Sequence, residues 1–108
     1  MQLLQQVEFT NDSYLLSSRS LLLKSYYELE EYDLLSSQSE AFMLYLRRSK
    51  QLPDYQKGLY KNMIKYIVKL SRYKASGQKL PDKLKLAITQ QQDIADITWL
   101  RNKLTELD

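Results

Sequence analysis

The chain has 108 residues, of which 44% are hydrophobic, and a formal net charge of +3. That length and apolar content suit one folded domain spanning residues 1–108 and argue against disorder. With no cysteine and no histidine, the chain has no disulfide, no thiolate nucleophile, no Ser-His or Cys-His relay and no means of building the usual zinc sites.

Residues 1–11 show no sustained apolar period and are expected to be irregular. Thr10, Asn11, Asp12 and Ser13 then supply helix N-cap candidates. A first helix is expected over about 13–29, with Leu15, Leu22, Tyr26 and Leu29 on one row and Leu16, Leu23 and Tyr27 on the row beside it. The segment "ELEEYD" marks a tight corner without a glycine.

A second helix follows over about 32–49, directing Leu34, Leu35, Phe42, Met43 and Leu46 inward. Its serines, Ser36, Ser37 and Ser39, lower helix propensity but permit close approach of a neighbour. "RRSK" places cations at its negative end. The third helix, about 53–74, has the clearest period. Pro53 suits its first position, and Leu59, Met63, Ile67 and Leu70 form its inner row.

On the same helix Lys57, Lys61, Lys65 and Lys69 recur every fourth residue, with Arg72 close by. Gly77 is the expected cap at its end. "LPD" occurs at 52–54 and again at 80–82, both times where a helix should begin. A fourth helix is expected over about 81–91 and a fifth over about 97–107, the latter capped by Asp96. The expected class is all-α, with four to five antiparallel helices joined by short loops.

The first corner invites comparison with tetratricopeptide repeats, whose helix pairs recur every ~34 residues. With Tyr32 set after the corner, Leu22 and Tyr26 occupy large positions and Glu30 the corner-glycine position. Leu23, Leu35 and Phe42 fall on small positions, so the fit is partial. The phrases "SLLLKSYYELEEYDLL", "FMLYLRRSK" and "ITWLRNKLTEL" resemble the C-terminal part of a group of uncharacterised bacterial helical-repeat proteins, tetratricopeptide-like in character.

The resemblance covers roughly residues 14–107. It implies a tetratricopeptide-like hairpin plus capping helices at the end of an α-solenoid, within a longer repeat protein. It also implies a protein-interaction role without enzyme activity.

Charge is strongly segregated. Residues 1–46 carry seven acids and two bases, residues 47–85 twelve bases and two acids, and residues 86–108 two bases and four acids. The basic stretch has three readings: a nucleic-acid face, a surface for an acidic protein, or a solvated face balanced by the acidic first hairpin. A lysine row without interleaved arginine and aromatic residues is poor at reading bases, which disfavours nucleic acid.

The candidate contact residues are Lys57, Lys61, Lys65, Lys69 and Arg72, with the tyrosines expected to be exposed, Tyr14, Tyr27 and Tyr55. Tyr26, Tyr60 and Tyr66 are expected to pack, and Trp99 to seal the core against the last helix. The acidic corner of Glu28, Glu30, Glu31 and Asp33 lacks the ligand order of a calcium loop. No cofactor is expected.

No apolar run approaches the ~20 residues that span a bilayer, and no secretory signal is visible, so a cytoplasmic location without membrane insertion is expected. The expected function is a non-catalytic protein-interaction or assembly module with a protein partner, acidic where the basic stretch is its contact surface, and an apolar end open to homodimerisation. A nucleic-acid-binding helical domain is the alternative.

Overall fold

A computed structural model describes residues 11–107 of the chain. Among them are five α-helices and no strand: α1 (Asn11–Glu28), α2 (Tyr32–Arg48), α3 (Asp54–Ser76), α4 (Asp82–Gln90) and α5 (Ile97–Leu107). The irregular segment expected over 1–11 lies outside the described residues except for Asn11, which is already helical. Helix α1 packs on α2 and α3, α2 packs on α3, and α5 packs on both α3 and α4.

One core joins all five helices. Leu23 and Tyr27 of α1 meet Phe42 and Leu46 of α2, Ile67 and Leu70 of α3, Ile88 of α4 and Leu100 of α5. Each fully buried aliphatic side chain of this kind contributes about 1.5–3 kcal/mol. The core of α1 is the row Leu16, Leu23 and Tyr27, with Ser20 between them. Of the other row, Leu15, Leu22 and Tyr26 are half-buried, and Leu29 is 70% exposed.

Tyr27 is therefore not the exposed contact residue expected. It is 1% exposed, its ring edge-on to Trp99 at 5.3 Å and covered by the Lys74 ammonium 4.5 Å from its centroid. The reason lies in the paired apolar residues of α1 (15/16, 22/23 and 26/27). They give it two adjacent apolar rows, and α2 and α3 select which one turns inward. Leu34 shows the same effect on α2: it is 46% exposed, whereas Leu35 beside it is buried.

The α1–α2 corner has a definite chemistry. The Glu31 N–H donates to Tyr26 O at 2.9 Å and the Glu30 N–H to Tyr27 O at 3.2 Å. This pair of bonds is the Schellman closure of a helix end. It requires a left-handed residue where glycine is usual, and here Glu30 takes it, with φ 60°. A non-glycine residue in that region costs about 1 kcal/mol.

The two "LPD" segments act alike. Pro53 and Pro81 sit just before α3 and α4, with extended ψ of 149° and 143°, and not at the first helical position. Their carbonyls receive the first helical bonds, from the Lys57 and Lys85 N–H groups. Leu52 and Leu80 are buried ahead of them, anchoring each helix entry as an apolar residue before a cap does. Asp54 and Asp82 lie in the first turns, next to the positive helix ends. Gly77 caps α3 in the left-handed region, φ 74°, as expected.

The α4–α5 connection is stitched along α3. Tyr66 Oη donates to Gln91 Oε1 at 2.7 Å, Asn62 Nδ2 to Asp93 O at 2.9 Å, and the Ala95 N–H to Leu59 O at 3.0 Å. Asp96 precedes α5, and its carbonyl accepts the Leu100 N–H at 3.2 Å. Its backbone is left-handed, φ 55°, unlike the extended conformation that capping uses. Its carboxylate takes Lys24 Nζ at 2.9 Å.

Candidate functional site

The outer side of α3 carries the candidate site. Lys65, Lys69 and Arg72 are spaced four and three residues apart, so they share one stripe, and all three are exposed. Between this stripe and α2 runs a groove of about 620 Å³, floored by Met43, Leu44, Ile64 and Val68. Arg47, Lys65, Lys69 and Arg72 border it, with Glu40 as its single carboxylate. None of these four cations has an ion-pair partner among the described residues.

Ser39 also lines the groove. It is 5% exposed, and its hydroxyl has no hydrogen-bond partner among the described residues. Across the stripe lies a second groove of about 560 Å³ against α4, lined by Tyr66, Tyr73, Leu84 and Lys83. Lys69 and Arg72 border both grooves.

The candidate residues do not all converge here. Lys57 is half-buried and donates from Nζ to Ser49 O at 2.7 Å, where it holds the negative end of α2. Lys61 is half-buried and borders neither groove. Tyr14 and Tyr55 are exposed as expected, but at the starts of α1 and α3 and away from the grooves.

Met43 and Leu44 are the contributions that a reading centred on the basic residues misses. The signal for them is present in α2: Ser39, Met43 and Arg47 recur every fourth residue, with Glu40 and Leu44 alongside.

Of the acids of the first hairpin, Glu40 lines the groove beside the basic row. Among the described residues no ion pair joins the hairpin to that row. Charge instead ties α1 to the C-terminal part of the chain. Lys24 pairs with Asp96 at 2.9 Å, while Lys103 pairs with Glu28 and with Glu106 at 3.0 Å.

Lys103 is 7% exposed, with its ammonium 5.3 Å from the centre of the Trp99 ring. Burial disfavours its charge, but the hydrogen bonds and attraction of Glu28 and Glu106 outweigh burial and raise its pKa above the ordinary lysine value. Burial, reinforced by Glu28 and Glu106, pushes the Tyr27 phenol well above the usual tyrosine range. This seam ties helices together, whereas the groove cations are exposed and without an ion-pair partner among the described residues, Lys65 lying over the Tyr66 ring at 4.7 Å.

Among the described residues no three His, Cys, Asp or Glu side chains group closely enough to hold a metal ion. No described helix is long and apolar enough to cross a membrane. No family model, curated protein or solved structure matches the chain.

Proposed function

We propose that the chain is a non-catalytic protein-interaction module of tetratricopeptide-like type, which holds an acidic, leucine-bearing segment of a partner in the α2–α3 groove. The observation that carries this reading is the groove itself: an apolar floor bordered by four cations with no ion-pair partner among the described residues. Two leucines buried on that floor would each contribute about 1.5–3 kcal/mol. Ion pairs at the border would add under about 1 kcal/mol each, and their main effect is on orientation and on-rate.

The helical-repeat part of the proposal draws on the short α1–α2 corner and on α3 packing against both preceding helices, as the next helix of a stacked array does. Cross-helix contacts fit an antiparallel hairpin, for Arg19 in the first half of α1 stacks on Tyr45 near the end of α2. Absence of histidine and cysteine from the sequence supports the non-catalytic part.

The test is fluorescence anisotropy with two labelled probes, a short Glu- and Leu-rich peptide and a single-stranded oligonucleotide, each titrated at low and at high salt. The expected result is peptide binding that weakens but persists at high salt and disappears in the Lys69→Glu, Arg72→Glu double variant. Preferential oligonucleotide binding that collapses with salt would overturn it, since phosphate-driven affinity falls steeply with ionic strength.

A further inference from the structure

The α1–α2 corner carries the chemistry that the groove selects. Leu29 is 70% exposed and Leu34 46% exposed. Between them Glu30, Glu31 and Asp33 are exposed as well. None of these three carboxylates forms an ion pair among the described residues. The corner is thus a compact acidic knuckle flanked by two leucines, held in one shape by the Schellman bonds to Tyr26 O and Tyr27 O.

Across the fold, the α2–α3 groove offers the complement. It has four cations and one carboxylate around an apolar floor, and the orphaned hydroxyl of Ser39 lies at its wall. Each surface is left with charge and apolar area that nothing within the described residues satisfies. A rigid ligand loses less conformational freedom on docking than a flexible peptide, which favours the preformed corner.

We infer that the corner of one copy docks in the α2–α3 groove of a second copy, with Leu29 and Leu34 on the apolar floor and Glu30, Glu31 and Asp33 among Arg47, Lys65, Lys69 and Arg72. The inference rests on the reading of the groove as a site for acidic, leucine-bearing segments. The two docked patches differ, so association either closes reciprocally in a symmetric pair or continues head-to-tail into chains or rings. The segregation of acid and base along the sequence is then the device that sets the direction of assembly.

Sedimentation velocity over a range of protein concentrations tests this, at low and at high salt. Wild-type protein should show a sedimentation coefficient that climbs with concentration and falls back on addition of salt. The corner variant Glu30→Lys, Glu31→Lys, Asp33→Lys and the groove variant Lys69→Glu, Arg72→Glu should each be monomeric alone. Mixed in equal amounts, they should associate again, because the corner variant keeps a good groove and the groove variant a good corner. That recovery also shows that both variants are folded.

The corner variant should still bind the Glu- and Leu-rich peptide with wild-type affinity. A monomeric wild type that binds the peptide would overturn self-docking and leave the groove reading standing. Loss of both would overturn the two together. Association that survives in both charge variants and is lost in Leu21→Arg would also overturn self-docking, by placing the contact on the outer face of α1, where Leu21 is 64% exposed.

Discussion

The α1–α5 seam and the α2–α3 groove are both lined with charge, and they use it in opposite ways. At the seam, Lys103 is almost fully buried and answered by Glu28 and Glu106, while Lys24 is answered by Asp96. In the groove, Arg47, Lys65, Lys69 and Arg72 stand around an apolar floor with no carboxylate in reach among the described residues except Glu40, which pairs with none of them. Charge satisfied inside the chain holds helices together. Charge left unsatisfied is available to another molecule. Net charge does not distinguish the two, since both are lysine-containing helix faces.

The contrast can be broken first at the seam. Lys103→Ala removes a buried cation, its ion pairs and the contact of its ammonium with the Trp99 ring. Because Glu28 and Glu106 are about half-exposed, the loss is expected to be about 2 kcal/mol, below the range for a fully buried pair. Urea denaturation of the variant measures it; a loss below about 0.5 kcal/mol would place the seam with ordinary surface pairs.

Alkaline pH probes the same seam without mutation. Tyr27 and Lys103 both hold their protons more tightly when folded. Their stabilising contribution is therefore complete below the unfolded values, about 10 for tyrosine and about 10.4 for lysine. It is lost as pH climbs through the folded values, because the unfolded chain then binds fewer protons. Stability measured by denaturant at pH 8 should exceed that at pH 11, and Tyr27→Phe should flatten part of the fall.

A smaller effect is expected at the corner. Glu30→Gly relieves the left-handed backbone and should stabilise the fold by about 1 kcal/mol, read as a rise in Tm. If the corner docks in the groove, the same variant should assemble more weakly, so stability and association would move in opposite directions.

The smallest effect on stability belongs to the groove. Lys69→Ala and Arg72→Ala should each change it by less than about 0.5 kcal/mol, since both side chains are exposed and neither has an ion-pair partner among the described residues, while peptide affinity falls. Equal damage to folding and binding would show that these cations serve the fold.

Much of the fold was legible in the residues. The third helix was expected over 53–74 and runs Asp54–Ser76, and the fifth matches its expected span, Ile97–Leu107. Such bounds follow from local signals: the two prolines, Gly77, and a clean period of about 3.6 residues in α3. The stripe Lys65, Lys69 and Arg72 was legible for the same reason.

The groove was not, because its other wall is α2, and no local rule says which face of α2 meets α3. Lys57 illustrates the point: it belongs to the lysine row by spacing, yet Ser49 O claims it only because α2 ends beside it in space.

The sequence by itself determined the all-α class, the helix starts at both "LPD" segments, the glycine cap of α3 and the uneven distribution of charge. These depend on backbone preferences and on contacts a few residues apart. Only the tertiary structure decided that Tyr27 is core and Leu29 surface, that Glu28 of α1 answers Lys103 and not the lysine row, and that four cations are left around an apolar floor. Those outcomes turn on the rotation of each helix about its axis. In α1, where apolar residues come in adjacent pairs, that rotation is set by the neighbouring helices and not by the period of the chain.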